Sequence, residues 1–114
     1  MDIKLIVAII RRDKLEEVEA RLRDTGVEGI NVSKVKGYGE YRNFFSHDWM
    51  VDEVRIEIFT RKDELETVIE AIMDAAHTGG PGDGIVAVVP VESLFLIRTR
   101  SEAVPEEYWP SRNQ

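Results

Sequence analysis

The feature that most constrains the fold is a change of hydrophobic period that occurs twice along the chain. Between Ile3 and Ile10 nearly every residue is aliphatic and Lys4 is the only charge, which predicts a strand buried on most sides. The next segment places Leu15, Val18 and Leu22 at helical spacing, with charged residues on the other faces. The same change of period recurs in the second half of the chain, where another amphipathic helix follows another strand.

The ends of both helices carry recognisable signals. Asp13 is predicted as the N-cap of the first helix, with Glu16 three residues later as in a capping box, and Gly26 as its C′ glycine. The second helix is predicted over "KDELETVIEAIMDAAHTG", residues 62–79, with Gly79 ending it.

Three further strands follow from alternation and from branched apolar residues. They are predicted at residues 29–37, 54–60 and 85–91, and a short fifth strand at 93–99 is possible. Proline cannot donate to a strand ladder, so the fourth strand is expected to end at Pro90 or to lie at a sheet edge there.

The element order predicts an α+β, ferredoxin-like βαββαβ domain over residues 1–100, with residues 101–114 as a tail. Two helices would cover one face of its antiparallel sheet. On the open face, Lys4, Arg55 and Glu57 leave much apolar surface, so packing against other copies of the chain, as in a homotrimer, is expected.

Composition excludes several classes of function. The chain has 114 residues, a formal net charge of −7 and a pI near 4.8, which argues against coating nucleic acid or an anionic membrane. With no cysteine there is no thiol catalysis and no thiolate metal site. Neither a membrane span nor a signal peptide is recognisable, so the cytoplasm is the expected location.

Two connecting segments are unusual. Residues 37–53, "GYGEYRNFFSHDWMVDE", form a long, aromatic-rich connection, which favours contact with a neighbour, a ligand or a partner. Residues 77–91, "HTGGPGDGIVAVVPV", concentrate glycines, whose amides can approach phosphate closely. The simpler interpretation of the glycines is a helix cap followed by a turn.

Four stretches carry a resemblance to a known family. They are "IVAIIRRDKLEEVEARLRDTGVEGINVSKVKGYG", "VRIEIFTRKDELETVIEAIMDAAHTG", "GDGIVAVVPVE" and "IRT". The chain resembles the PII signal-transduction proteins, trimeric sensors of nitrogen and carbon status, over nearly its whole length.

The resemblance implies a homotrimeric, non-enzymatic sensor that requires no cofactor and binds an adenine nucleotide in clefts between subunits. A T-loop, here about Gly37–Asp52, would dock onto a membrane transporter or a metabolic enzyme. The residues that the resemblance assigns to the ligand site are Asn31, Gly37, Tyr38, Gly39, Glu57, Thr78, Gly79, Gly82, Asp83, Gly84 and Arg98.

Departures from the family pattern concern charge. Family members that hold ATP have lysines where this chain has Gly80 and Ile85, a basic residue at Glu40 and an arginine at Leu96. Each lost charge-assisted contact costs about 1.5–3 kcal/mol, so AMP or ADP is a more favourable ligand here than ATP. The T-loop is also shorter, and Tyr41 replaces the family's glutamine, which puts 2-oxoglutarate binding and tyrosine modification in doubt.

Other functions remain open at this point. A trimeric protein linked to metal efflux or tolerance could bind copper or zinc through His47, Asp48 or His77, although two histidines without ligand spacing are a weak signal. A scaffold with empty clefts is a third alternative. No nucleophile–base pair is recognisable, so no catalytic residue is predicted.

Overall fold

A computed structural model describes residues 2–27, 29–37 and 51–104. Two helices and six strands occur in these ranges, and each helix is preceded by one turn of 3-10 helix. In chain order the elements are β1 (Ile3–Arg11), the 3-10 turn Arg12–Lys14, α1 (Leu15–Thr25), β2 (Asn31–Gly37), β3 (Val51–Arg61), the 3-10 turn Lys62–Glu64, α2 (Leu65–Ala76), β4 (Gly84–Pro90), β5 (Phe95–Leu96) and β6 (Ser101–Glu102).

The first four strands form one antiparallel sheet in the order β2-β3-β1-β4. This order, with α1 and α2 packed together on one face, is the ferredoxin-like arrangement, and the α+β prediction is confirmed. In this sheet β2 and β4 are the edge strands. The expectation that β4 would end at Pro90 or lie at an edge there is also confirmed, since Pro90 is the last residue of this edge strand.

The core lies between the helices and one face of the sheet. Ile6 of β1 faces Ile58 of β3 across the ladder, and one step further Ala8 faces Ile56. These side chains are buried because the two-residue strand period directs every second one toward the helices. The helices contribute the matching apolar stripe Val18, Leu22, Val68, Ala71, Ile72 and Ala76.

The opposite face of the sheet is not covered by the described residues. Leu5, Val7 and Ile9 of β1 point to it, and so do Ile85 and Val89 of β4 by their register. Ile85 is 61% exposed and Val89 is 42% exposed. The predicted open, largely apolar face is therefore present in the single chain.

Lys4 does not belong to that open face, contrary to the prediction. Its register partner is Thr60, which is fully buried, and it shares the even-numbered parity of Ile6 and Ala8. The prediction placed Lys4 by its charge, but strand parity decides its side. Arg55 and Glu57 do lie on the open face, where they form a salt bridge with an N–O distance of 3.3 Å.

The helix boundaries also required correction. Asp13 lies inside the 3-10 turn, and neither the turn nor α1 has a side-chain cap hydrogen bond. Helix α2 ends at Ala76, three residues before Gly79, because His77 already has extended backbone. Gly26, in contrast, is the left-handed C-cap of α1 as predicted, with φ = 103°.

The C-terminal part has less strand than predicted. Of residues 93–99 only Phe95 and Leu96 belong to a strand, and they pair with Ser101 and Glu102 in a separate small hairpin. Most of the segment 37–53 and residues 105–114 of the predicted tail lie outside the described residues. No helix within the described ranges is long and apolar enough to cross a membrane.

Candidate functional site

The glycine-rich loop between α2 and β4 contains a position that only glycine can occupy. Gly84 begins β4 with φ = +100°, and a β-carbon added there would stand 1.8 Å from the carbonyl oxygen of Ile9. The edge strand therefore approaches β1 too closely for any side chain at this point. Gly79 and Gly82 also have positive φ, 88° and 94°, so the loop bends sharply on both sides of Pro81.

Asp83 organises this loop by accepting hydrogen bonds on both carboxylate oxygens. Its Oδ2 accepts from the backbone N–H of Thr78 at 2.8 Å and from that of Gly79 at 2.9 Å. Its Oδ1 accepts from the Thr78 hydroxyl and from Arg11 Nε, the latter at 3.1 Å. Two loop amides that could face a ligand are thus already bound to a carboxylate of the same chain.

Arg11 connects the end of β1 to this loop. Besides the ion pair with Asp83, its Nη2 donates to the Pro81 carbonyl oxygen. The guanidinium also lies 3.6 Å from the place that a Gly80 β-carbon would occupy. The positive charge of Arg11, at the end of β1, therefore lies beside Gly80, the position where the family resemblance implies a lysine in ATP-binding members.

The hydrogen bonds control the charge of Asp83. Those from the Thr78 hydroxyl and amide, with further ones from Gly79 and Arg11, hold its pKa well below the usual range. The carboxylate is therefore ionised throughout the neutral range. His77 Nδ1 is 3.7 Å from Asp83 Oδ2 and its side chain is largely exposed.

An open cleft of about 440 Å³ lies between the end of α2 and the beginning of β4. Its lining is mostly aliphatic and includes a few ionisable side chains, a composition typical of ligand clefts. The cleft is lined by Ile10, Ile72, Met73, Asp74, Ala76, His77, Asp83, Gly84, Ile85 and Val86.

The other predicted site residues lie toward the opposite edge of the sheet. Asn31 of β2 pairs in register with Glu57 of β3, and both point to the open face. Gly37 is the last residue of β2, and a β-carbon there would meet Glu53 Oε1 at 3.1 Å. Burial raises the pKa of Glu53.

Most of the predicted residues thus fall into two groups on opposite sides of one sheet: the loop 78–84 beside β4, and Asn31 and Gly37 of β2 with Glu57 of the adjacent β3. Gly37 and the loop 78–84 stand at the same end of the sheet, but β3 and β1 separate β2 from β4. Three interstrand spacings amount to about 14 Å. Arg98 lies exposed in the turn between β5 and β6, and Tyr38 and Gly39 fall outside the described residues.

Sequence reasoning did not identify Arg11 or Glu53 as part of the site. Arg11 ends β1 and Glu53 is the third residue of β3, positions where a charged residue is ordinary, and each contacts a residue that is distant in the sequence. One feature of the sequence singles out Arg11: an arginine precedes each of the two 3-10 turns, Arg11 the first and Arg61 the second. Both arginines form ion pairs with acidic residues that follow them in the chain.

The metal-binding alternative gains no support from the described part of the structure. Among the described residues, no three side chains of histidine, cysteine, aspartate or glutamate are grouped so that they could hold a metal ion. His77 has one carboxylate neighbour, Asp83, which Arg11 already pairs. His47 and Asp48 lie outside the described residues.

Comparison with known proteins decides the family. The model of the family "Nitrogen regulatory protein P-II" matches residues 3–101. The chain belongs to the P-II family. A nitrogen regulatory protein P-II of Azospirillum brasilense is 41% identical over 103 aligned positions, which cover 84% of this chain and 92% of that protein.

Other PII relatives agree with this assignment. Nitrogen regulatory protein P-II 1 of Methanothermobacter thermautotrophicus is 41% identical, with 82% of this chain and 88% of that protein covered. The crystal structure of Arabidopsis thaliana PII bound to citrate superposes with a TM-score of 0.78 at 34% identity, covering 90% of this chain and 89% of that one. The resemblance and the fold expected from the sequence are confirmed, and the protein is a member of a nitrogen-regulatory signalling family.

Proposed function

We propose that this PII protein is a sensor that binds an adenine nucleotide, AMP or ADP in preference to ATP, in clefts between the subunits of a homotrimer. It regulates a membrane transporter or a metabolic enzyme through Gly37–Asp52 and catalyses no reaction. The observation that carries the proposal is that Gly37, at the end of β2, and the loop 78–84, before β4, stand at the same end of the sheet but on its opposite edges.

A heterologous, ring-closing assembly brings one edge of a subunit against the other edge of its neighbour. The loop 78–84 of one subunit would then face Asn31, Gly37 and Glu57 of the next, although about 14 Å separates the two groups within a chain. The apolar open face, with Ile85 and Val89 exposed, favours the same association because burying it removes apolar surface from water.

The preference for a low ligand charge follows from the charges at the site. Residues 77–85 contain no lysine or arginine. Arg11 is paired with Asp83, and Arg55 with Glu57, which leaves Arg98 as the remaining cation among the predicted site residues. A triphosphate would bring about four negative charges to a site with so little positive charge, whereas AMP brings about two.

Calorimetry with AMP, ADP and ATP, combined with light scattering, tests this proposal. We expect a particle of three times the 13.0 kDa chain mass that binds AMP or ADP more tightly than ATP. A monomer, or a trimer that binds ATP most tightly, would contradict it. Titration with Zn²⁺ in parallel tests the metal alternative, for which the described residues offer no ligand group.

A gain-of-function variant sharpens the test. Gly80→Lys combined with Ile85→Lys returns cations to the loop, and both positions accept side chains, since Ile85 is exposed and a Gly80 β-carbon makes only ordinary contacts. ATP affinity should rise about tenfold or more for two restored charge-assisted contacts. Thr67→Lys, at an exposed position of α2 away from both the loop and the open face of the sheet, is the control for added charge and should leave ATP affinity unchanged.

A further inference from the structure

We infer that Arg12 is a positioning residue for the segment through which the protein is proposed to regulate its partner. Paired with Asp52, it holds the end of the sheet that leads into residues 38–50, and its neighbour Arg11 joins that end to the loop 78–84. The inference rests on the proposed function and deepens it, since it concerns how a change at the loop would reach the docking segment.

The sheet narrows to two strands at this end. The ladder between β1 and β3 stops where Arg11 faces Glu53, whereas β3 begins two residues earlier, at Val51. Among the described strands, residues 51–52 pair with β2 alone, opposite residues 36–37. A two-stranded ribbon is marginally stable by itself, so the position of this β2–β3 ribbon depends on contacts with neighbouring elements.

The 3-10 turn after β1 provides such a contact. It packs against β3, and Arg12 Nη1 lies 3.7 Å from Asp52 Oδ2. Lys36 also faces Asp52, but it belongs to the ribbon and cannot hold the ribbon to another element. The side chains of Arg12 and Asp52 are more than half exposed, and exposed ion pairs contribute little to global stability. The pair therefore biases the position of a marginal ribbon rather than stabilising the whole fold.

Arg11 holds the loop on the other side of β1. Its Nε donates to Asp83 Oδ1 at 3.1 Å, and its Nη2 donates to the Pro81 carbonyl oxygen. Arg11 and Arg12 are consecutive, so their α-carbons are about 3.8 Å apart. Their side chains nevertheless contact two segments on opposite sides of the sheet, the loop before β4 and the β2–β3 ribbon. A displacement of the loop consequently reaches the ribbon through one peptide unit.

Hydrogen exchange of the backbone amides of residues 36–37 and 51–53 tests the role of Arg12 without any ligand. Arg12→Gln should raise the exchange rate there about two- to fivefold, whereas Arg12→Lys, which keeps the charge, should preserve most of the protection. The difference between Arg12→Gln and the wild type should disappear in about 1 M salt, where the screening length is about 3 Å. The matched control is Lys14→Gln, in the same 3-10 turn but paired with Glu17 of α1, and it should leave the ribbon unchanged.

A second variant tests the link to the loop. Asp83→Asn weakens the hold of Arg11 on the loop, so it should change ribbon exchange in the wild-type background but not in the Arg12→Gln background. Should Asp83→Asn fail to fold, Asp83→Glu, which displaces the carboxylate but keeps its charge, is judged in the same way. ADP should likewise change ribbon exchange in the wild type, whereas Arg12→Gln should still bind ADP by calorimetry and show no such change.

Ribbon exchange in Arg12→Gln equal to that in Lys14→Gln would overturn the inference, and so would effects of Arg12→Gln and Asp83→Asn that simply add. Absence of ADP binding by the wild type would count against the proposed function alone, because the ligand-free comparison of the variants still decides this inference. ADP binding together with additive effects of the variants would have the opposite consequence, refuting the link and leaving the proposed function intact.

Discussion

Gly84 stands where β4 leaves the loop, in direct contact with the backbone of β1. We expect Gly84→Ala to lower the free energy of unfolding by about 3 kcal/mol or more, because the methyl group would overlap the Ile9 carbonyl and the backbone has φ = +100°. Urea denaturation measures the change. Gly29→Ala is the control, since a β-carbon there has no atom within 4 Å, and it should shift stability by about 0.5 kcal/mol or less.

Arg100 is the opposite case, a side chain where glycine would fit better. Its φ is 57°, in the left-handed region, and its N–H donates to Leu96 and Ile97 carbonyls to close the β5–β6 turn. Arg100→Gly should stabilise the protein by about 0.5–1 kcal/mol. Glycine removes the strain of the left-handed backbone in the folded state, and this gain is partly offset by the greater conformational entropy of glycine in the unfolded state. Thermal denaturation tests this. A loss of stability equal to that of Arg98→Gly, in the same turn without positive φ, would contradict it.

At the level of elements, the periodicity of apolar residues was sufficient to predict both helices and the four strands of the main sheet. Leu15, Val18 and Leu22 mark one face of α1 at helical spacing, and alternation marks β3, because burial on one side imposes these periods. The start of α1 was misplaced, because Asp13 has the side chain of a cap but lies in a 3-10 turn, and turn geometry leaves little trace in composition.

The candidate site was less predictable than the fold. The glycines could be inferred to form a turn, but neither the close approach of Gly84 to Ile9 nor the pairing of Asp83 with Arg11 could, because both partners are more than 70 residues away in the sequence. Only the pairing of β1 with β4 brings them together. A local sequence pattern does not reveal charged residues that meet across a sheet. The sequence therefore suggested loop amides available to a phosphate, whereas in the structure the amides of Thr78 and Gly79 donate to Asp83.

Because of Asp83, the loop between α2 and β4 should make the free energy of unfolding depend on pH in the acidic range. In the native protein the pKa of Asp83 lies below its ordinary value of about 4. Its contribution to the free energy of unfolding is therefore complete above the ordinary pKa and is lost as the pH falls toward the native pKa. Wild-type protein should therefore lose more stability between about pH 5 and pH 2 than Asp83→Asn does. Urea midpoints measured across that range test the sign, and parallel curves for the two proteins would contradict it.

Across the whole molecule, the described part of one chain presents two separated groups of candidate ligand residues and an uncovered apolar face. In the proposed trimer, a neighbouring copy would complete both. A small sheet protein that covers only one face with helices gains stability by burying the other in an oligomer. Ligand binding and assembly are then linked, and a bound nucleotide should raise the melting temperature of the trimer.

Subunit mixing tests the inter-subunit cleft most directly. Gly80→Glu adds a negative charge to the loop, and Asn31→Trp obstructs the opposite edge, where Asn31 is exposed; each variant alone should fail to bind ADP. In trimers co-assembled from equal amounts of the two, about a quarter of the clefts would combine an intact loop with an intact edge from different chains. Calorimetry should detect that fraction of wild-type ADP binding in the mixture. No recovery in mixed trimers, with wild-type protein binding ADP normally, would contradict a site shared between subunits.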